Sequence, residues 1–201
     1  MHAWLQWPLF KVVSLDHCLS GFPSTVILQG NGRGERNANT TRLFPDMKFG
    51  CFGTIVQVSA AVVDDGGQES PKIQIWRENN TQSSLYHMIN SSDILVRRHN
   101  PPCYQYSLSN GVFQCTLRED LRISVQPGDF FGLEIPPINS DDLEIHFKPG
   151  GPTNLVFQGQ LGSAVDLSTE LHATTNDEPQ ITFLVVLGTY NVQSESIIII
   201  I

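Results

Sequence analysis

The strongest constraint on this chain is the alternation of apolar and polar residues with a period of two, in short runs separated by turn residues. One long run places alternate residues on a common face: Phe52, Thr54, Val56, Val58, Ala60 and Val62. Successive side chains of a strand point to opposite sides, so this period predicts half-buried strands. No run combines a helical period with good caps. About ten strands with short turns predict an all-β fold, an antiparallel β-sandwich of jelly-roll type.

The stretch "ISVQPGDFFGLEIP", residues 123–136, predicts two such strands joined by a turn. The predicted inward residues are Ile123 and Val125 before the turn, and Phe131, Leu133 and Ile135 after it. Between them, Pro127 fixes φ, Gly128 permits a positive φ, and Asp129 can accept hydrogen bonds from nearby backbone N–H groups. We therefore predict a structural turn at these three residues and not a catalytic aspartate.

The stretch "CYQYSLSNGVFQCTL", residues 103–117, predicts a hairpin, because Asn110-Gly111 is a preferred two-residue type I′ turn. This register sets Cys115 opposite Tyr106, and Cys103 opposite Arg118. Positions 115 and 118 are an odd number apart and face opposite sides of the sheet. Cys103 and Cys115 are therefore predicted not to bond to each other.

Four cysteines, Cys18, Cys51, Cys103 and Cys115, permit two disulfides, and no pair has the C-x-x-C spacing of zinc or redox sites. Cys51 is the natural partner for a cysteine of the hairpin. We predict the pair Cys51–Cys115, because Cys115 shares a face with Phe113 and Leu117.

The balance of polar residues favours a secreted protein. Charged residues make up only 16% of the chain, the net charge is −8, and the 12 lysines and arginines are scattered. Phosphate backbones demand clustered cations, so we expect no nucleic-acid partner.

Three N-x-S/T sequons, at Asn39, Asn79 and Asn90, lie in polar stretches where a glycan is tolerated. The sequons and the even number of cysteines predict an extracellular or cell-surface setting.

Composition divides the chain into three parts. Residues 1–41 form an N-terminal segment that ends in a polar Gly- and Asn-rich linker, residues 42–190 form the predicted β-sandwich domain, and residues 191–201 form a tail ending in five isoleucines. Five residues cannot span a bilayer, which needs about 20. The tail is either the start of a transmembrane anchor continuing beyond Ile201 or a buried or frayed end. The first residues make a poor signal peptide.

Nothing in the sequence indicates an enzyme. Nucleophile, zinc-protease, P-loop and dinucleotide motifs are absent, and no cofactor is expected. The six histidines are dispersed, and His146, on the polar phase of "LEIHF", is predicted to face solvent. The acidic residues Asp64-Asp65, Asp141-Asp142 and Glu144 supply oxygen ligands that calcium prefers, but they lack a D-x-D-x-D-G loop. We interpret them as solvated turn residues.

Three stretches together resemble a known type of domain: "MKFGCFGTI" at 47–55, "IQIWR" at 73–77 and "VQPGDFFGLEIPP" at 125–137. Their order and spacing are similar to a domain repeated in large, uncharacterised cell-surface proteins of early-branching animals. The resemblance covers residues 42–187 and implies a receptor- or adhesion-like ectodomain followed by a membrane helix. It implies no active site.

The leading hypothesis is a non-enzymatic extracellular recognition or adhesion domain whose loops bind an unknown protein or glycan. The alternative is a lectin-like carbohydrate-binding domain that stacks sugars on Trp76 or Tyr104, with calcium as a possible aid. For Trp76 a packed position is the favoured interpretation, because a tryptophan in a strand more often packs in the core or between strands. An enzyme on the same scaffold would need histidines and carboxylates converging in one cleft.

Overall fold

The computed structural model describes residues 18–23, 33–34, 39–63, 71–92, 103–109, 111–135 and 144–187. Within these ranges the regular structure is all β apart from one 3₁₀ turn, Glu119–Leu121, so the all-β prediction is confirmed. The strands are β1 (Leu19–Ser20), β2 (Arg33–Gly34), β3 (Thr40–Phe49), β4 (Gly53–Val63), β5 (Lys72–Asn79), β6 (Gln82–Ser92), β7 (Cys103–Ser109), β8 (Val112–Leu117), β9 (Ile123–Val125), β10 (Phe130–Ile135), β11 (Glu144–Gln158), β12 (Ala164–Asp166), β13 (Ala173–Pro179) and β14 (Ile181–Leu187).

The described strands pair antiparallel throughout, in the order β12-β6-β5-β10-β3-β11-β4-β8-β7. The sheet ends at β12 and β7 and does not close on itself. We call the strands from β12 to β3, with β1, the β3 half, and β4, β7, β8, β9 and β14 the β4 half. Strand β11 joins them, because it pairs with β4 at its start and with β3 at its end. The jelly-roll arrangement stays a prediction.

Side chains from both halves meet in one apolar core cluster. The ring of Phe183 in the β4 half lies 5.6 Å from Phe131 and 5.8 Å from Phe49 of the β3 half, measured between ring centroids. The predicted inward residues around the 127–129 turn all belong to this cluster: Ile123, Val125, Phe131, Leu133 and Ile135. The period-two pattern therefore identified the core face of these strands correctly.

The single alternating face predicted for β4 is wrong. Its residues in the main core cluster are Ile55 and then Val58, Ala60 and Val62, whereas Phe52 is 50% exposed. The partner strand β14 explains the change of phase: Val185 pairs with Ile55 and Leu184 with Gln57, so Val56 is an extra residue. A β-bulge of this kind shifts the side-chain phase by one position.

A second apolar cluster lies on the outer face of the β3 half. It contains Leu43, Trp76, Phe130, Phe157 and Val165. Strand β12 and its flanking residues contribute Val165 together with the partly buried Leu161 and Leu167. Burial of this second face explains why residues of both phases are apolar in β3, β5 and β10.

Part of the predicted N-terminal segment belongs to the sheet. Leu19 pairs with Phe49 and Ser20 with Lys48. The two residues of β2, which fall within the predicted polar linker, pair with β11. Strand β3 begins at Thr40, close to the domain start predicted at residue 42. The tail, residues 191–201, lies outside the described residues.

Two disulfides join Cys18 to Cys51 and Cys103 to Cys115, so the predicted pair Cys51–Cys115 is wrong. The hairpin register is as predicted near the turn, with Ser109 opposite Val112 and Tyr106 opposite Cys115. Farther out, Gln105 pairs with Thr116 and Cys103 pairs with Leu117, which leaves Tyr104 as an extra residue. This bulge moves Cys103 onto the face of Cys115, and their Cα atoms lie 5.2 Å apart.

Candidate functional site

The turn predicted at Pro127, Gly128 and Asp129 is present. Gly128 has φ of 92°, which only glycine adopts readily. The Asp129 carboxylate accepts a hydrogen bond from the backbone N–H of Gln126 at 2.9 Å, as expected for a side chain that caps its own turn. The turn is also fixed to β3, because the Phe49 N–H donates to the Asp129 carbonyl and the Gly128 N–H donates to the Phe49 carbonyl.

Asp129 has a partner that the sequence reasoning missed. Arg77 donates from Nε to Oδ1 at 2.6 Å and from Nη2 to Oδ2 at 2.8 Å. The Asp129 side chain is fully buried, whereas that of Arg77 is 34% exposed. The hydrogen bond to Asp129 is the main cause that raises the pKa of Arg77, and the opposite charge adds to it. The pair is a bidentate ion pair that holds the turn against β5.

The sequence did contain a signal for this pair. Strand β5 pairs with β10 such that Trp76 lies opposite Phe130. Continuing that register by one position places Arg77 opposite Asp129. The "IWR" and "PGD" stretches could have been recognised as pairing partners if the order of the strands had been known.

Trp76 is fully buried, and its indole Nε1 donates to Gln74 Oε1 at 3.0 Å. Gly132 provides the space, because a Cβ at that position would lie 2.8 Å from the indole Nε1 and 2.9 Å from Leu43 Cδ2. Trp76 therefore cannot stack on a sugar ring, and its interpretation as a packed residue is confirmed. The side chain of Tyr104, the other aromatic considered for sugars, lies outside the described residues.

A buried carboxylate organises the polar residues on the outer face. Glu134, 5% exposed, accepts hydrogen bonds from Lys72 Nζ at 3.1 Å and Gln160 Nε2 at 2.7 Å on one oxygen. Gln74 Nε2 donates to its other oxygen at 3.0 Å. We call Glu134, Lys72, Gln74 and Gln160 the Glu134 cluster. With donors on both oxygens, the carboxylate fixes the ends of β5 and β10 in register.

The Glu134 cluster lies where several strand ends meet. Lys72 pairs with Glu134, the next residue Ile73 pairs with Ser92 at the end of β6, and Ile135 pairs with Thr40 at the start of β3. The connections 64–70, 93–102 and 136–143 are attached to these or neighbouring strand ends. Lys72 is 35% exposed and Gln160 is also exposed, so the cluster reaches the surface at these strand ends.

Sequence reasoning missed the Glu134 cluster, although a signal exists. Lys72 and Gln74 occupy the phase opposite to Ile73 and Ile75, and Glu134 occupies the phase opposite to its apolar neighbours. Polar residues on one phase of two strands suggest a shared polar patch. Only the register of β5 with β10 shows that they touch.

The sequon at Asn79 lies in the turn between β5 and β6. Its side-chain oxygen accepts hydrogen bonds from the backbone N–H of Thr81 at 2.9 Å and from the Thr81 hydroxyl at 2.6 Å. Its amide nitrogen lies 3.1 Å from His87 Nε2, in a contact exposed to solvent. In this sequon Asn80 and Thr81 are therefore exposed and Asn79 is half-buried.

The other two sequons differ from it. Asn39 is exposed with φ of 57°, but Thr41 of its sequon is fully buried and donates its hydroxyl to the Gly159 carbonyl at 2.8 Å. The side-chain oxygen of Asn90 is buried, without a hydrogen-bond partner among the described residues. Glycosylation at all three sites stays a prediction, and Asn79 is the site where the surface geometry favours it best.

His146 is 4% exposed, so its predicted solvent-facing position is wrong. It lies opposite Gly34 of β2, in a pairing that the linker prediction did not include. Polar phase alone predicts exposure only for a sheet face that nothing covers. Within the described part of the chain, no group of three or more His, Cys, Asp and Glu side chains is placed to hold a metal ion. The acidic pairs Asp64-Asp65 and Asp141-Asp142 fall outside the described residues.

Comparisons with protein-family models, with curated proteins and with solved structures found no match to this chain. The resemblance to cell-surface domains of early-branching animals therefore stays a prediction. In the ranges that the structure describes, no helix has the length and apolar character needed to cross a bilayer. The fold and site define a disulfide-bonded, antiparallel β protein whose two disulfides indicate an oxidising, secreted or extracellular environment.

Proposed function

We propose that this chain is a non-enzymatic recognition or adhesion domain of a cell-surface protein, and that it binds its ligand at the end of the sheet that carries the Glu134 cluster. The observation that supports an extracellular location is the pair of disulfides within an all-β scaffold. The proposed ligand is a protein or a glycan of another surface.

The scaffold supports a site at strand ends more than one on a sheet face. Both faces of β3, β5 and β10 are covered, the inner by the main core and the outer by the second cluster. The connections 64–70, 93–102 and 136–143 leave from strand ends that the Glu134 cluster and the core hold in place. A rigid scaffold that presents connecting segments is a common design for recognition.

The lectin-like alternative has less support. Its best stacking residue, Trp76, is buried, and the acidic pairs Asp64-Asp65 and Asp141-Asp142 considered as calcium ligands lie outside the described residues. An array of glycans, probed with and without a chelator, distinguishes it from a protein-binding domain. Chelator-sensitive binding to a defined glycan would favour the lectin, and protein binding without glycan binding would favour the leading proposal.

The compartment is tested by producing the full chain with a C-terminal tag in animal cells. We expect secreted or surface-exposed protein in which alkylation before reduction labels none of the four cysteines. We also expect a mass shift on treatment with a peptide N-glycosidase, and this shift should shrink in Asn79→Gln. Cytosolic protein with free thiols would contradict the proposal.

The site is tested by replacing Lys72 and Gln160 with alanine and measuring binding of the tagged chain to cell surfaces. Binding should fall. Thermal stability should also fall, because both substitutions remove a donor to Oε1 of the buried Glu134, so binding is compared at a temperature at which thermal unfolding shows every variant to be folded. The matched control is Arg118→Ala together with Arg122→Ala, which also removes two partly exposed polar side chains but lies on the 3₁₀ turn away from the Glu134 cluster. Equal loss of binding in both variants would argue against this end of the sheet.

A further inference from the structure

The segment 18–23, which we call the strap, lies on the edge of β3. Leu19 pairs with Phe49, Ser20 pairs with Lys48, and the Gly50 N–H donates to the Cys18 carbonyl at 2.8 Å. Gly21 has φ of 77° and lies too close to the Asp46 carbonyl for any side chain. The described backbone pairing of the strap consists of a two-residue strand and one further hydrogen bond.

Phe22 fixes the strap to the core between the two halves of the sheet. Its ring centroid lies 5.3 Å from Phe49, 6.1 Å from Phe131 and 5.4 Å from Phe183. The first two residues belong to the β3 half and the third to the β4 half. Phe22 is itself only half-buried, so it acts as a cover at the edge of the core.

The two disulfides differ in their access to solvent. Cys103 and Cys115 are both buried, at 9% and 0% exposure. In the other disulfide Cys18 is buried but Cys51 is half-buried, next to the exposed Phe52. Cys51 is therefore the most exposed of the four cysteines, and we expect a thiolate in solution to attack there first, because access is one determinant of exchange rates.

We propose that the strap is held against the core by the Cys18–Cys51 disulfide, and that reduction of this one disulfide releases the strap while the rest of the fold persists. A thiolate attacks Sγ of Cys51, the bond between the two cysteine sulfurs breaks, and Cys18 leaves as a thiolate that takes up a proton. A second thiol then attacks the mixed disulfide. Cys51 leaves as a thiol, and the two reductant molecules are oxidised to their own disulfide.

Release follows from the small number of contacts that would remain. Without the covalent link, the described strap keeps the short pairing with β3, the ring contacts of Phe22, and the buried Cys18 and Pro23 together with the partly buried Leu19. These contacts act against the conformational entropy of six ordered residues. The opened surface would contain the unpaired edge of β3 from Asp46 to Phe49 and the rings of Phe49, Phe131 and Phe183. An unpaired edge next to apolar surface is where extended segments of other chains bind.

Hydrogen exchange of individual amides, followed by NMR on the full chain, distinguishes strap release from general unfolding. The Gly50 N–H bonds to the strap, whereas the neighbouring Phe49 N–H bonds to the Asp129 carbonyl in the turn. After mild reduction we expect exchange of the Gly50 amide to accelerate by roughly a factor of ten or more. Exchange of the Phe49 and Gly128 amides should change much less.

Two further measurements complete the test. Stepwise reduction followed by alkylation and peptide mapping should label Cys18 and Cys51 before Cys103 and Cys115. The double variant Cys18→Ser/Cys51→Ser should show the same fast Gly50 exchange without any reductant. The variant Phe22→Ala, which keeps the disulfide, should retain slower exchange at Gly50 than the double variant.

Three outcomes would overturn the proposal. The Gly50 amide could stay equally protected after the disulfide is reduced, which would mean that the strap is held by its other contacts. All three amides could lose protection together, which would mean that the disulfide supports the whole fold. Finally, Cys103 and Cys115 could be labelled first, which would mean that the Cys18–Cys51 disulfide is not the one reduced preferentially.

Discussion

Arg77 and Asp129 form a bidentate ion pair in which the carboxylate is fully buried and the guanidinium reaches solvent. The pair connects the "IWR" strand to the "PGD" turn, and the backbone of the same turn binds Phe49 in the "KFGCF" stretch. The "IWR", "PGD" and "KFGCF" stretches are therefore in contact at one corner of the fold. This contact gives the sequence pattern of the three stretches a structural explanation.

Arg77→Ala should destabilise the protein strongly, because it leaves the buried Asp129 carboxylate with only the Gln126 N–H among its described donors. We expect a loss of about 3 kcal/mol in the free energy of unfolding, at the lower end of the range for broken buried ion pairs because Arg77 is partly solvated. Chemical denaturation measures this loss. Asp129→Asn, which keeps an oxygen for the Gln126 N–H, should cost less, about 1–2 kcal/mol.

Arg118 provides the matched control for Arg77. It forms an ion pair with Asp120 at 3.5 Å, but both side chains are well exposed. Surface pairs of this kind contribute about 0–1 kcal/mol. Equal destabilisation by Arg77→Ala and Arg118→Ala would contradict the role given to the buried pair.

Gly132→Ala should destabilise the protein by about 1–3 kcal/mol, because the added methyl group would overlap the indole of Trp76 and the side chain of Leu43. Thermal or chemical denaturation measures the change. Gly162→Ala is the control, since a Cβ there would meet nothing closer than the Ala164 carbonyl oxygen at 3.9 Å. If the two variants were equally stable, Trp76 would have room that the structure does not give it.

Tyr86 should make the protein sensitive to alkaline pH. Burial is the main cause that raises its pKa above the usual 10.0, and the nearby charge of Glu78 adds to it. The folded state therefore favours the neutral phenol, whereas the unfolded chain ionises near pH 10. This contribution to stability is complete below pH 10 and is lost as the pH rises through the raised pKa of the folded state.

The variants Tyr86→Phe and Glu78→Gln separate the two causes. Denaturation measured across pH 9–11 should show a smaller alkaline loss of stability in Tyr86→Phe than in the unchanged protein. Because both proteins contain the other tyrosines, the difference between them reports Tyr86 alone. In Glu78→Gln the pKa of Tyr86 should fall only part of the way to its usual value, because desolvation is the larger cause. An unchanged alkaline profile in Tyr86→Phe would contradict this prediction.

Deletion of Tyr104 should abolish the Cys103–Cys115 disulfide. The deletion removes the extra residue of β7, so the ladder becomes regular with Cys103 still opposite Leu117. Cys115 is then its diagonal neighbour, with Cα atoms about 7–8 Å apart instead of 5.2 Å, which is too far for a disulfide without backbone movement. Titration of free thiols should then find two reactive cysteines, with a loss of roughly 3 kcal/mol for a loop of this length. Tyr104→Ala keeps the number of backbone residues and should keep the disulfide. Four protected cysteines in the deletion variant would show that the bulge does not determine the pairing.

The period-two pattern was enough to predict the fold class and several core faces, because a strand that is buried on one side has apolar residues at alternate positions. It failed at Val56 and Tyr104, where one extra residue reverses the phase and nothing in the local composition marks it. It also failed for His146, because exposure depends on what covers a sheet face.

The candidate site was predicted only in part. The turn at Asp129 could be derived from residues adjacent in sequence. Its partner Arg77 and the Glu134 cluster could not, because these contacts depend on which strands are neighbours.

The position of β3 has a consequence for how the protein is made. This strand is synthesised early, yet its two neighbours, β10 and β11, come much later in the chain. The Thr41 hydroxyl, for example, donates to the carbonyl of Gly159, which is 118 residues further along. On the ribosome, β3 must therefore remain without both neighbours until most of the chain has emerged. During this interval the apolar residues of β3 are exposed to aggregation with other chains.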